Sequence, residues 1–174
     1  MTIIKQNDLI ESIAAAFQFI SYYHPKDYIQ ALGQAYELEE SPAAKDAMAQ
    51  ILLNSRMCAM DHRPICQDTG IANIFLEIGM NVQWDSSMSV EDMCNEGVRQ
   101  AYLHPDTIHM KIVPGDTVSI HVAAKGGGSE NKSKFVMLNP SDSLVDWVLK
   151  TVPTMGAGWC PPGILGIGVG GTAE

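Results

Sequence analysis

The sequence predicts an α+β fold, with an N-terminal helical layer packed on a mainly antiparallel or mixed sheet. Helical apolar stripes come first, up to about residue 58, and alternating segments typical of strands follow. The strand segments show no regular strand–helix alternation of the kind that a parallel α/β sheet needs. A chain of 174 residues with 46% apolar and 18% charged residues also fits one domain, residues 1–174, with a real core.

The elements follow in order. Residues 7–23 read as a helix capped by Asn7, with Leu9, Ile10, Ile13, Phe17 and Ile20 on one stripe. His24-Pro25 interrupts it. A second helix, 25–36, places Tyr28, Leu32 and Tyr36 at four-residue intervals. Ser41-Pro42 is a strong restart, an N-cap followed by proline in the first turn, and the third helix runs to about Cys58 through Met48, Ile51 and Leu52. Ile71 to Ile78 alternates as a strand, and 82–84 reads as a short paired one. Ser89 caps a helix with the stripe Val90, Met93, Cys94, Gly97 and Tyr102. Segments 107–113 and 117–124, joined by Pro114-Gly115-Asp116, read as a hairpin-like pair with one buried face. Further strands are expected at 135–138 and 164–169, and a helix between them is capped by Ser141 or Ser143 and ended by Pro153. Cys58 and Cys94 read as small buried apolar residues, and Trp147 and Trp159 as core.

Bulk properties exclude several function classes. A net charge of −9 argues against general nucleic-acid binding, and it repels a dianion at long range, so a carboxylate site needs local positive charge. Lys125, Lys132 and Lys134 form such a cluster, diluted by Glu130. No signal peptide and no membrane-spanning stretch is visible. Four cysteines are too few for a disulfide scaffold, which points to a reducing, cytoplasmic setting.

Three stretches carry more chemistry than packing asks for. The first is Arg63-Pro64-Ile65-Cys66-Gln67-Asp68-Thr69-Gly70. Pro64 biases Arg63 away from helix, Gly70 permits a turn, and a thiol, an amide, a carboxylate and a hydroxyl lie between them. Read alone, it is equally a polar turn after a helix. His62 precedes it and reads as a loop or capping residue, since Pro64 breaks any helical spacing to Cys66. The second stretch is Lys125-Gly126-Gly127-Gly128-Ser129-Glu130-Asn131-Lys132-Ser133, whose bare backbone N–H groups suit an anion. The third is Gly156-Ala157-Gly158-Trp159-Cys160-Pro161-Pro162-Gly163, followed by a glycine-rich run to Thr172 that lacks the lysine of a P-loop.

Together these stretches resemble the N-terminal region of the class I, iron–sulfur-dependent fumarate hydratases and the related tartrate dehydratase alpha subunits. The likeness covers most of residues 41–174 in the family's order. It implies that Cys66 and Cys160 are two ligands of a 4Fe–4S cluster, and that the third cysteine ligand lies outside this chain. Both cysteines sit in loops stiffened by proline, and three thiolates leave one iron with an open, Lewis-acid position. The resemblance further implies that Gln67 and Asp68 contact substrate, with Asp68 the proton donor. Lys125 and Gly127 would serve the substrate-facing glycine loop. The implied reaction is reversible hydration of fumarate to malate in the tricarboxylic acid cycle, with tartrate dehydration the near alternative. A cluster-free module that acts by pairing with another domain or subunit is the alternative from a different class. The implied partners are a C4 dicarboxylate, a C-terminal domain or beta subunit, and a second copy in a homodimer.

Two departures accompany the likeness. The family's region continues past Glu174, so the chain is expected to be a truncated N-terminal catalytic domain, metal-free and inactive alone. Family members also carry a longer segment between His104-Pro105-Asp106 and Thr107, including an arginine that holds substrate carboxylate. The expectation is that Asp106 and Thr107 are not directly joined and that this segment belongs between them.

Overall fold

The computed structural model describes residues 2–68, 70–101, 104–126, 132–156, 158 and 163–171, with the backbone alone for 104–107. The chain has two compact units, 1–125 and 126–174.

The first unit opens with a short strand, β1 (Thr2–Lys5), and passes directly into helix α1 (Gln6–Tyr22). The helix starts one residue before the expected cap. Asp8, in its first turn, reaches back to accept the Lys5 N–H at 3.2 Å, so a carboxylate does the capping in place of Asn7. Helices α2 (Lys26–Leu38) and α3 (Pro42–Asp61) follow. Ser41 caps α3, its Oγ accepting the Ala44 N–H at 3.4 Å, with Pro42 inside the first turn. After α3 come β2 (Ile71–Gly79), β3 (Val82–Asp85), α4 (Val90–Gln100), β4 (His104–Val113) and β5 (Val118–Lys125).

Two sheets result. β1 pairs in parallel with β3, so the expected short strand at 82–84 finds its partner at the N-terminus, in four residues that carry too little pattern to read. The larger sheet has the order β4-β2-β5, with β2–β4 parallel and β2–β5 antiparallel. This mixed sheet with its helices is an α+β architecture.

The expected hairpin of β4 with β5 does not form, because β2 lies between them. β2 has the most deeply buried alternation of the three strands, with Ala72, Ile74, Leu76 and Ile78 all inside, and the centre of the sheet is where such a strand loses most water. The connection arches over the end of β2. The Gly79, Met80 and Asn81 N–H groups donate to the carbonyls of Thr117, Val113 and Gly115 at 2.9, 2.8 and 2.9 Å.

The join at Asp106-Thr107 lies within β4. β4 runs through it as one strand, with Ala72 opposite Pro105 and Asn73 opposite Thr107, so Asp106 is the extra residue of a bulge. A bulge absorbs the odd residue at the cost of one ladder position.

The core lies between one face of this sheet and two helices. Leu9, Ile10, Ile13 and Phe17 of α1, and Met93, Cys94 and Val98 of α4, close over β2. The α1 residues and Met93 and Cys94 lie on the stripes that the helical periodicity predicts, Val98 is an addition to them, and Tyr102 lies outside the described residues; each large side chain fully buried contributes roughly 1.5–3 kcal/mol. Gly97 is the contact point of the two helices: a Cβ there would stand 2.8 Å from the Ile10 carbonyl oxygen. The opposite face of the sheet is open, with Phe75 stacked on His109 at 4.8 Å and Glu77 paired with Lys111 at 3.1 Å.

In the second unit, α5 (Leu144–Thr151) is capped by Ser143, whose Oγ accepts the Asp146 N–H at 3.2 Å, and a 3-10 turn carries the chain through Pro153. The strands expected at 135–138 and 164–169 are absent among the described residues. A strand needs a partner for its backbone groups, and no described ladder reaches either segment. Trp147 is half-buried rather than core; Trp159 lies outside the described residues.

Candidate active site at one end of the sheet

Residues 62–70 leave helix α3 and enter β2, and their path is set by both neighbouring helices. His62 ends α3 in the left-handed region, at φ 51. This is the capping role that the sequence suggests, at a conformation costly for a residue with a Cβ. The Tyr23 hydroxyl and His62 Nε2 are 2.8 Å apart, and the Tyr22 ring stacks on the imidazole with centroids 5.6 Å apart. One turn earlier on α3, the Cys58 thiol lies 3.4 Å from the Pro64 carbonyl oxygen. Ile65 is tied on both sides: its N–H donates to the Ser21 carbonyl at 2.9 Å, and its carbonyl accepts from Asn54 Nδ2 at 2.9 Å. Ser21, Tyr22, Tyr23 and Asn54 carry no motif, and sequence reading gives no sign of this work.

The chemistry-bearing residues follow at once. Cys66 is exposed, and its Sγ accepts the Asp68 N–H at 3.4 Å while its thiol faces Gln67 Oε1 at 3.5 Å. Asp68 Oδ1 accepts the Gly70 N–H at 3.1 Å, an Asx turn that bends the chain into β2. Gly70 takes φ +75, and a Cβ there would lie 2.7 Å from the Lys125 carbonyl oxygen. Only glycine allows both the conformation and the approach.

The ladder then decides what stands beside the loop. Ile71, the residue after Gly70, is paired with His104 of β4 on one side and Lys125 of β5 on the other. One end of the sheet therefore gathers the Cys66–Gly70 loop, the start of the glycine-rich stretch and the start of β4. Of the residues singled out in the sequence, Cys66, Gln67, Asp68 and Lys125 are brought to this end. Gly127 and Cys160 lie outside the described residues.

The other described thiols are different in kind. Cys94 is fully buried, and burial, with Glu91 nearby, pushes its thiol up to about 11, so it stays protonated and inert. Cys58 is buried as well, as both were expected to be. Among the described residues no three His, Cys, Asp or Glu side chains converge in a way that could hold a metal ion, so these residues alone build no closed metal site. Among the described residues Cys66 is the exposed thiol, on a loop tied to two helices. No helix among the described residues is long and apolar enough to cross a membrane.

The model of the fumarate hydratase (Fumerase) family matches residues 10–105 and 103–174. The chain belongs to this family. A "Putative L(+)-tartrate dehydratase subunit alpha" from Methanocaldococcus jannaschii is 32% identical over 199 residues, covering 98% of this chain and 69% of that protein. The L(+)-tartrate dehydratase subunit alpha of Escherichia coli K12 is 24% identical, covering 97% of this chain and 64% of its own length. The anaerobic class I fumarate hydratase of the same strain is 28% identical, over 86% of this chain and 32% of its own length. The chain thus spans about two thirds of the alpha subunits and a third of the fumarate hydratase.

An alignment of 199 positions cannot be filled by a chain of 174, so the Methanocaldococcus relative carries residues that this member of the Fumerase family lacks. The two family matches meet at 103–105. That is the start of β4, beside Ile71 and the Cys66–Gly70 loop.

Proposed function

We propose that the protein works as an iron–sulfur hydro-lyase on a C4 dicarboxylate, with reversible hydration of fumarate to malate as its reaction. The observation that carries this reading is the pairing of Ile71 with both His104 and Lys125, which sets the Cys66-Gln67-Asp68 loop beside a cation at one sheet end. Cys66 and Cys160 would hold a 4Fe–4S cluster, with the third thiolate supplied by a partner domain or beta subunit. When bound, such a cluster supplies an open Lewis-acid position for the oxygen that is added or lost. Asp68 would hold the proton that moves at the neighbouring carbon, and Gln67 would orient the substrate by its amide. Lys125 and the Gly127 N–H would take a substrate carboxylate, which a chain of net charge −9 otherwise repels. Free Cys58, Cys66 and Cys94 suit a reducing, cytoplasmic setting, and the full enzyme would be a homodimer.

Dehydration of L-tartrate is the second reading. It is favoured by the relatives named as tartrate dehydratase alpha subunits, one of them 32% identical along nearly the whole chain. The deciding experiment is anaerobic reconstitution of the chain with its partner subunit or domain, using iron and sulfide, followed by assay on fumarate, malate and L-tartrate. A visible charge-transfer band that Cys66→Ser and Cys160→Ser abolish, together with turnover of one substrate, is expected. Spectra indifferent to both substitutions would remove the cluster and leave a cluster-free interaction module.

A further inference from the structure

The Cys66 loop is shaped from within by Pro64 and by the contacts of Asp68 to Cys66 and Gly70, and it is also fastened from outside. The residue that anchors it is on another element. Asn54, on the exposed side of α3, donates from Nδ2 to the Ile65 carbonyl at 2.9 Å, and Ile65 immediately precedes Cys66. The orientation of that amide is not arbitrary. A carbonyl oxygen only accepts, so the NH₂ end faces Ile65, and Oδ1 turns to the Cys58 side, 3.6 Å from a thiol whose single proton has the Pro64 carbonyl as its nearer acceptor at 3.4 Å. The Ile65 N–H is taken by the Ser21 carbonyl in the last turn of α1 at 2.9 Å. Both backbone groups of the residue before the thiol are therefore fastened, one to each helix.

We propose that Asn54 is a positioning residue for Cys66: its side-chain amide fixes the Ile65–Cys66 peptide and so sets where the thiol is presented. The contact to substrate or metal is made by Cys66, and Asn54 acts only through it. With the bond gone, the Ile65 N–H keeps its tie to Ser21 and the Ile65–Cys66 peptide beyond it can swing. An amide donor is required rather than bulk, since an aspartate of the same shape presents a carboxylate oxygen to a carbonyl oxygen and cannot bond it. The consequence for a bound cluster rests on the hydro-lyase reading above; the anchoring does not.

Asn54→Asp and Asn54→Gln separate the two roles, glutamine keeping the donor on a longer arm. The first readout is amide hydrogen exchange at Cys66, whose N–H belongs to the Ile65–Cys66 peptide that Asn54 holds, measured by NMR on the full chain. Loss of one hydrogen bond should speed it about fivefold in Asn54→Asp, with an unchanged rate at core amides such as Ile74 and recovery in Asn54→Gln. The second readout is the lifetime of the reconstituted cluster, in the chain joined to its partner, against an iron chelator. It should shorten in Asn54→Asp and recover in Asn54→Gln, with initial iron content equal. Exchange at Cys66 that is indifferent to Asn54→Asp overturns the proposal. So does acceleration spread equally over core amides, which would make Asn54 merely structural. If the wild-type protein takes up no cluster but the exchange pattern holds, the anchoring stands and the hydro-lyase reading alone falls.

Discussion

Gly70 and Lys125 touch so closely that a methyl group does not fit between them: a Cβ on Gly70 would stand 2.7 Å from the Lys125 carbonyl oxygen. This approach couples the end of the Cys66 loop to the end of β5, from which the glycine-rich stretch departs. Gly70→Ala adds a left-handed conformation to that clash, at φ +75. The expected outcome is a loss of roughly 1–3 kcal/mol in denaturant unfolding. The loop, rather than the core, should show the larger rise in amide exchange. An alanine variant as stable as the wild type would mean that β5 shifts away at little cost.

Asp68 has two tasks that one substitution can separate. Its Oδ1 accepts the Gly70 N–H and shapes the turn into β2, and asparagine keeps that acceptor. Proton transfer needs the carboxyl group itself. In the reconstituted protein, Asp68→Asn should therefore cut turnover by about 10²–10⁴-fold, the usual worth of a positioned acid or base, while iron content and melting temperature hold. Turnover close to wild type would return Asp68 to a purely structural role.

His24 makes the stability of the helical layer depend on pH. It lies at the corner between α1 and α2, with Nδ1 3.0 Å from the Ser55 hydroxyl and its ring stacked on Tyr28 at 4.7 Å. Burial lowers its pKa from the ordinary 6.5. The unfolded chain then binds the proton at 6.5 while the folded chain still resists it, so stability is fully present above 6.5. It falls as pH drops from there towards the lowered folded value, below which this slope disappears. Urea unfolding from pH 8 to 5 should show that fall, and His24→Asn, which can still meet Ser55, should flatten it. Equal slopes in both proteins would assign the pH dependence to other groups.

The sequence by itself determined the local structure of the first unit. The stripe Leu9, Ile10, Ile13, Phe17 is the core face of α1, Ser41-Pro42 and Ser89 start helices where they stand, and β2 buries the residues that its alternation marks. These follow from period, capping and proline geometry, which act within a few residues. Membership of a family whose model matches nearly the whole chain was legible in the three motif stretches.

Only the tertiary structure decided what stands beside what. The turn 114–117 looks like a hairpin turn, yet β2 enters between its arms, since pairing partners are chosen by burial of the whole sheet rather than by chain proximity. The same choice seats Ile71 between His104 and Lys125 and so brings a lysine of β5 to a thiol loop 59 residues earlier in the chain. Asn54 shows the limit most plainly. It is one polar residue on an exposed helix face, without motif or period, and it gains its role only because α3 turns it towards the carbonyl of Ile65. A hydrogen bond between residues eleven apart in sequence depends on the path of the intervening chain, and that path is set by contacts to α1 which no local pattern encodes.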